Sequence, residues 1–395
     1  MNIHILTTSY PGHKEDFRGR FVHELGAALQ QLGHHVTVTV PHPGHQSSAG
    51  QIMDGVTVTR TPVALFQNHA STVFGSTGVL ESCRHHPWRV AELPFALAAW
   101  ARRAWLSTPW PDLVISNWLV PSGLLGAKLA GKLGVPHICI EHGGGGRLLS
   151  AIPGGRHILA SVLAGTTCLQ TVSPALAHSI AELSRHRQPP VPMFSYPIPP
   201  PRVARQPNRS FSSPLRFLFI GRFTEGKGPL LLLNALADTG SVHATLAGGG
   251  PLLAAAQQLA AKKHMTQRVQ FPGEIPYSQL PALYGEHDIL VLPSQSGSSR
   301  LLPLAEGTPR VLLEGMTHGL VPLASQAGGI PAVIEHERNG LLFPAGDKAT
   351  LSNFIRRLSK EPETCHRLSL GAIATAHEFS YSDLFDYWRK HGIAV

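Results

Sequence analysis

Cysteine is scarce in this chain of 395 residues: Cys83, Cys139, Cys168 and Cys365 stand alone, with no CxxC pair. Such spacing excludes a disulfide framework and a zinc knuckle, and it fits a reducing compartment. Long apolar runs are missing as well. The opening MNIHILTTSYPG has no basic segment leading into an apolar one, and no stretch approaches the ~18 apolar residues of a membrane span, so a cytoplasmic protein, soluble or peripheral, is expected. No aspartate has another two residues away, and no HExxH spacing organises the 23 histidines. No metal or other cofactor is expected, and most histidines read as polar surface or hydrogen-bonded core.

Charge is also sparse, at 14% of residues, and it is diffuse. Residues 1–200 carry 14 basic and 9 acidic groups and the remainder 19 and 15, giving the net +9. Nucleic-acid binding would need clustered Lys and Arg interleaved with aromatics. A diffuse excess instead favours phosphates or an anionic lipid surface.

What is present is a regular alternation of short β-branched runs with amphipathic helical stretches, the pattern of parallel sheets wrapped by helices. In the first half, strands are expected at Asn2–Thr7, His35–Val40, Leu113–Ser116, His137–Ile140 and Cys168–Thr171. Val22, Leu25, Leu29 and Leu32 fall on one face of the first helix, which ends at Gly33 in a left-handed cap. A second series follows at Leu215–Ile220, His243–Ala247, Val269–Phe271, Ile289–Leu292 and Val321–Ala324. Eight prolines from Pro189 to Pro207 separate the two series and forbid regular helix or central strand there. At 395 residues, two domains are the prior expectation. The reading is an α/β chain with a Rossmann-like domain at 1–188, a linker at 189–213 and a second Rossmann-like domain at 214–379; a C-terminal helix at about 380–395 packs back on the first. Doubly wound parallel sheets bind ligands beyond the carboxyl ends of their strands, so a cleft between two such edges is where chemistry is expected.

After the first strand of the second series comes Gly221-Arg222-Phe223-Thr224-Glu225-Gly226-Lys227-Gly228, a glycine-rich turn with two cations leading into a helix. Backbone N–H groups and a helix N-terminus favour an anion, and Arg222 and Lys227 can neutralise a diphosphate. The turn misses the nucleotide triphosphatase loop by one letter, Gly228 replacing the hydroxyl that would hold Mg²⁺. Further on lies Glu306-Gly307-Thr308-Pro309-Arg310-Val311-Leu312-Leu313-Glu314. Thr308 followed by Pro309 reads as a helix cap and first helical residue. Glu306 then sits outside the helix mouth and Glu314 between one and two turns inside. In the first domain, the loop Pro11–Arg20 ends in Arg18-Gly19-Arg20 at a helix start, and Glu141-His142-Gly143-Gly144-Gly145-Gly146 follows a strand. Four glycines allow close backbone approach to a ligand, though a flexible turn reads the same way.

Taken together, Asp16-Phe17-Arg18-Gly19-Arg20-Phe21, Gly33-His34-His35-Val36, the Gly221–Gly228 turn, Glu306 with Glu314, Gly328-Gly329-Ile330-Pro331 and Asn339-Gly340-Leu341 resemble glycosyltransferase family 4, the retaining glycosyl transferases group 1 of the GT-B fold. The resemblance covers nearly the whole chain. It implies two Rossmann-like domains facing a cleft and metal-independent transfer of a sugar from a nucleotide-diphosphate sugar to a glycan or lipid-linked acceptor. By that likeness Gly221, Arg222, Lys227, Gly307, Thr308 and Arg310 line the donor site; Arg222 and Lys227 hold the diphosphate, with Gly19 packed near it. Glu314 takes the ribose, Glu306 contacts the transferred sugar and His142 stands on the family's His-Gly turn; Glu306, Arg222, Lys227 and His142 are the catalytic residues that the likeness implies. Arg18, Asn117, Trp118, Gly143 and Gly144 fall on the acceptor side. Three departures stand out: Asn117 where similar members carry a second histidine, Pro309 where they carry glycine, and Ala332 where Glu is frequent.

No GxGxxG follows a strand, which excludes a nicotinamide or flavin oxidoreductase. A non-catalytic sugar-nucleotide binder and an epimerase or phosphorylase on the same double fold stay open, because fold does not fix function. The segment Pro94–Leu106 sets Trp, Phe and Leu beside Arg102 and Arg103, a composition that suits either an interfacial helix at an anionic membrane surface or a core-packing helix with its arginines in solvent.

Overall fold

The computed structural model describes residues 1–42, 50–62, 91, 93–106, 109–184, 191–192, 197–198, 211–240, 242–295 and 309–395. The chain forms two compact units. One comprises Met1–Thr171, Leu176–Pro192 and Phe385–Val395, the other Val172–Ala175 and Met193–Leu384.

In the first unit the strands are β1 (Asn2–Leu6), β2 (His35–His42), β3 (Gln51–Met53), β4 (Val56–Pro62), β5 (Leu113–Asn117), β6 (His137–Glu141), β7 (Cys168–Thr171) and β8 (Val191–Pro192). They form one sheet in the order β3-β4-β2-β1-β5-β6-β7-β8. All pairings are parallel except the β3–β4 hairpin, whose Asp54-Gly55 turn holds both residues at positive φ. β1 runs beside β2 on one side, Ile3 against Val36, and beside β5 on the other, Ile3 against Leu113. β5 and β6 are buried along their whole length, as strands covered on both faces must be.

The second unit contains β9 (Arg216–Ile220), β10 (His243–Ala247), β11 (Val269–Gly273), β12 (Ile289–Leu292), β13 (Val321–Ser325) and β14 (Leu341–Phe343), in the order β11-β10-β9-β12-β13-β14. This all-parallel sheet reverses its direction of winding between β9 and β12. A reversal of that kind opens a crevice at the carboxyl ends of the two strands. Phe217, Phe219, Leu232, Val291, Leu323 and Ile355 belong to the core on one face, and Leu218, Leu290, Leu312, Met316 and Ala372 to that on the other.

All ten strands expected from the sequence form, within two residues at either end. β3, β4, β8 and β14 are not among the expected strands: β3, β8 and β14 are too short to show a period, while β4, whose Val56 and Val58 alternate with Thr57 and Thr59, carries a strand period that the expectation omits. The first helix, Arg20–Gln31, buries Val22, Leu25 and Leu29, but Leu32 is its C-terminal cap residue and lies 49% exposed. The expected stripe is therefore one residue too long, and Gly33, at φ 87°, turns the chain away where the periodicity suggested another contact.

His4 and His137 are among the buried histidines, with His23 and His287. His4 in β1 hydrogen-bonds with Thr39 at 2.8 Å, and His137 in β6 with Ser116 at 2.7 Å and Thr166 at 3.0 Å. Burial lowers each pKa to about 4. In the unfolded chain the same rings take a proton near pH 6.5. Between those values the unfolded state binds more protons, so stability is full above pH 6.5 and is lost as pH falls toward 4, by on the order of 3 kcal/mol per histidine. Urea unfolding from pH 7 to pH 4 should show this slope, and replacing both His4 and His137 with Gln should flatten it; an unchanged slope would contradict the assignment.

Candidate functional site

In the second unit the predicted phosphate turn leaves β9 at Ile220 and is locked from below. Phe223 is fully buried against Phe219 and Phe271, with ring centroids 5.7 and 6.3 Å away. Its N–H donates to the Gly249 carbonyl at 2.7 Å, and the Gly221 N–H donates to that of Ala247 at 3.0 Å. Anchored at Phe223, the turn presents Arg222 exposed and Lys227 half-buried. Glu225–Lys227 makes one tight helical turn, then Gly228 at φ 66° begins the helix Pro229–Ala237. No other residue fits Gly228, since a Cβ there would stand 2.1 Å from the Pro293 carbonyl oxygen. At Gly248, φ 132°, a Cβ would stand 2.0 Å from the Gly221 oxygen. The turns after β9, β10 and β12 thus meet backbone to backbone at the carboxyl edge of the sheet.

Glu306, Gly307 and Thr308 lie outside the described residues. Glu314 and Arg310 are on the helix Arg310–Thr317. Pro309, φ −73° and ψ 121°, is extended and precedes the helix, so helical geometry begins one residue later than the Thr-Pro signal indicated. Glu314 sits just over one turn in. Its Oε1 accepts from Arg310 Nε at 2.7 Å and its Oε2 from the Tyr284 hydroxyl at 2.9 Å. Burial and the adjacent Glu314 charge raise the Tyr284 pKa well above the ordinary range, so the phenol keeps its proton and donates.

In the first unit, Asp16 folds the loop after β1 onto itself, accepting from the backbone N–H groups of Gly12 at 2.9 Å and Arg18 at 3.0 Å and from Arg18 Nε at 3.0 Å. Burial opposes the Asp16 charge, but these donors outweigh it and lower the pKa. Gly19, φ 64°, passes so close to Ser9 that a Cβ would lie 2.4 Å from its carbonyl oxygen. The helix that follows places Phe21 against Trp118, 6.0 Å between centroids, and His142, 4.8 Å. His142 and Trp118 are themselves 5.1 Å apart, and His142 Nε2–H donates to Asn117 Oδ1 at 3.0 Å. Burial drops the His142 pKa to about 3, so the ring is neutral at physiological pH. Trp118 holds φ 69°, a backbone strain that a side chain this large adopts only when its surroundings impose it.

What imposes it includes Glu141, a residue that sequence reasoning gave no role. Its side chain is fully buried: Oε2 accepts from the Leu119 N–H at 2.7 Å, and Oε1 from those of Gly143, Gly145 and Gly146 at 2.7, 2.9 and 3.3 Å. One carboxylate therefore joins the turn after β5 to the turn after β6. Burial pushes its pKa up, and the four N–H groups offset that rise only in part. Gly145 makes the close approach to this side chain, since a Cβ there would stand 2.5 Å from Oε2. The four glycines do not form a flexible turn: Gly144–Ala151 is helical. An acid two residues before a glycine run that opens a helix was the available signal. Asn117, Trp118, His142, Gly143 and Gly144 come together here, with Gly19 two residues before Phe21.

Two family models match the chain, one described as glycosyl transferases group 1 over residues 202–374 and one as a glycosyl transferase 4-like domain over residues 19–197. The amylovoran biosynthesis glycosyltransferase AmsK of Erwinia amylovora is 33% identical over 151 residues, covering 37% of this chain and 36% of that protein. The chain thus matches about a third of that relative's length. Among solved structures, sucrose-phosphate synthase from Thermosynechococcus elongatus is 18% identical with a TM-score of 0.75, covering 98% of both chains. Anabaena HepE in complex with UDP-glucose is 16% identical with a TM-score of 0.67, covering 99% of this chain and 98% of that one. The two sheets and these likenesses identify the GT-B fold that the sequence implied.

Exchanging Glu141 for Gln tests the bridge. An amide has an NH₂ where the carboxylate has an acceptor, so in either orientation it opposes an N–H donor. Unfolding in denaturant should show the variant about 2 kcal/mol or more less stable; a loss below ~0.5 kcal/mol would mean that Glu141 is not held as the anion.

Proposed function

Because the chain belongs to the glycosyl transferases group 1 family, we propose that this glycosyltransferase moves a sugar from a nucleotide-diphosphate donor to a glycan or lipid-linked acceptor, with retained anomeric configuration and without a metal ion. The observation that carries the reading is the Gly221–Gly228 turn. It follows β9 at the point where the sheet reverses, and it sets Arg222 and Lys227 before the helix Pro229–Ala237. Two cations with a helix N-terminus can stabilise the charge that builds on a departing diphosphate. HepE, a neighbour in fold, binds UDP-glucose, which supports a nucleotide sugar as donor. In this reading Glu314 receives the ribose, Arg310, Gly307 and Thr308 line the donor site, Glu306 contacts the reacting sugar, and Gly19 packs near the phosphates. The aromatic group of Phe21, Trp118 and His142, with Arg18, Asn117, Gly143 and Gly144, serves the acceptor side. His142, being neutral, contributes hydrogen bonds and not charge.

Changing Arg222 or Lys227 to Ala should each weaken donor binding and turnover by roughly ten-fold or more, the loss of a charge-assisted contact. Assays in excess EDTA should give the same rates as assays without it. Unchanged donor affinity in both variants would overturn the diphosphate assignment, and restoration strictly by Mn²⁺ or Mg²⁺ would overturn the metal-independent one.

The acceptor side also has a surface suited to an anionic membrane. The helix Leu93–Trp105 buries Ala96, Trp100 and Ala104, while Phe95, Trp105, Leu106 and the nearby Trp110 lie 39 to 69% exposed. Arg102 and Arg103 are exposed on the same helix, and Lys132 Nζ lies 4.2 Å over the Trp105 ring. The helix is thus a core-packing helix on one face and an aromatic, basic surface on the other, a combination suited to lipid headgroups. No helix among the described residues is long and apolar enough to cross a membrane, so the association would be peripheral. Flotation with anionic vesicles should recover the protein at low salt, less so at high salt or with Arg102→Glu plus Arg103→Glu; wild-type protein left wholly in the soluble fraction would count against it.

A further inference from the structure

Glu314 carries a hydrogen-bonding pattern that the family reading does not call for. An ionised carboxylate offers about four lone-pair sites, two on each oxygen. Among the described residues, Arg310 Nε takes one on Oε1 and the Tyr284 hydroxyl takes one on Oε2. The donors come from different elements, Arg310 from the first turn of the same helix and Tyr284 from the helix Leu280–Glu286. Tyr284 is 1% exposed and stacks beside His318 with centroids 5.1 Å apart; His318 in turn hydrogen-bonds through Nδ1 with the Glu314 carbonyl at 2.8 Å. The phenol therefore has little freedom, and the carboxylate it holds cannot rotate about its last bond without breaking a contact on one oxygen or the other. Glu314 keeps 13% of its side chain open to solvent, and each oxygen retains one lone pair. A fixed carboxylate with one site left on each oxygen matches two hydroxyls on adjacent carbons, one to each oxygen.

Resting on the assignment of Glu314 to the donor ribose, we propose that Tyr284 is a positioning residue, acting with Arg310, which locks this carboxylate for the two hydroxyls of a ribose and so sets the preference for ribonucleotides over deoxyribonucleotides. Tyr284 touches no substrate. Its effect passes entirely through Glu314: without the phenol, the carboxylate can turn, and the 2′-hydroxyl loses its partner's fixed orientation.

The test compares the affinities of UDP, GDP and ADP with those of their 2′-deoxy counterparts, by calorimetry, for the wild-type protein and Tyr284→Phe, which keeps the ring and removes only the hydroxyl. Wild type should prefer the ribo form of the nucleotide it binds by ~ten-fold or more, the worth of a hydrogen bond to a charged group. In Tyr284→Phe that ratio should fall to about three or less, with deoxynucleotide affinity little changed. A merely structural tyrosine would weaken both forms alike and leave the ratio intact, and that result overturns the proposal. Arg310→Lys, which retains a cation but loses the Nε contact, should lower the ratio in the same direction; both variants behaving as wild type also overturns it. If wild type itself does not distinguish ribo from deoxy forms, the assignment of Glu314 to the ribose fails and the proposal falls with it.

Discussion

A single carboxylate governs the candidate site of the first unit. Glu141 sits without solvent contact at the end of β6 and gathers N–H groups from two separate turns. Burying an anion without a cation is costly, and here four oriented backbone donors offset that cost. Three of those donors belong to glycines at the start of a helix, where glycine is a poor helix former by about 1 kcal/mol per residue. At Gly145 a side chain would collide with the carboxylate, and Gly143 is held at φ 109°. Leu119, the fourth donor, follows directly on the strained Trp118, so the position of that indole and of His142 are set by the same buried charge.

The second unit solves a similar problem with no buried charge. Its glycine-rich turn is placed by contacts between backbones, at Gly221 with Gly248 and at Gly228 with Pro293. Phe223 then fills the space beneath. Backbone contacts hold such a turn in place, and Arg222 is left exposed on it. In both units the candidate residues ride on turns whose shape is fixed by other groups.

Much of this was legible in the sequence because the period of a buried parallel strand and the glycines of a tight post-strand turn are local signals. β5, β6, β9 and β12 announce themselves as apolar runs, and the Gly221–Gly228 turn as glycine with cations. What escaped was not local. Nothing in the spacing of Glu141 says that its carboxylate folds back on its own glycines and crosses to Leu119, since that partner lies 22 residues away. Tyr284 and Glu314 are 30 residues apart, and only the packing of two helices brings them into contact. Gly33 takes the left-handed conformation read for it, but the apolar period ran one residue too far, since Leu32 is the exposed cap residue just before that turn.

The first unit is discontinuous along the chain, and that orders its making. Phe385, Trp388 and Ile393 are all at most 4% exposed and belong to the first unit, yet residues 193–384 of the second are synthesised before them. A ribosome therefore delivers every strand of the second sheet while the first unit still lacks its last helix. During that interval the partly built first unit keeps open the apolar surface that a tryptophan and a phenylalanine will later cover, roughly 150–250 Å² for each ring. The second unit thus has all its strands before the first has its last helix, whereas domains are usually completed in chain order.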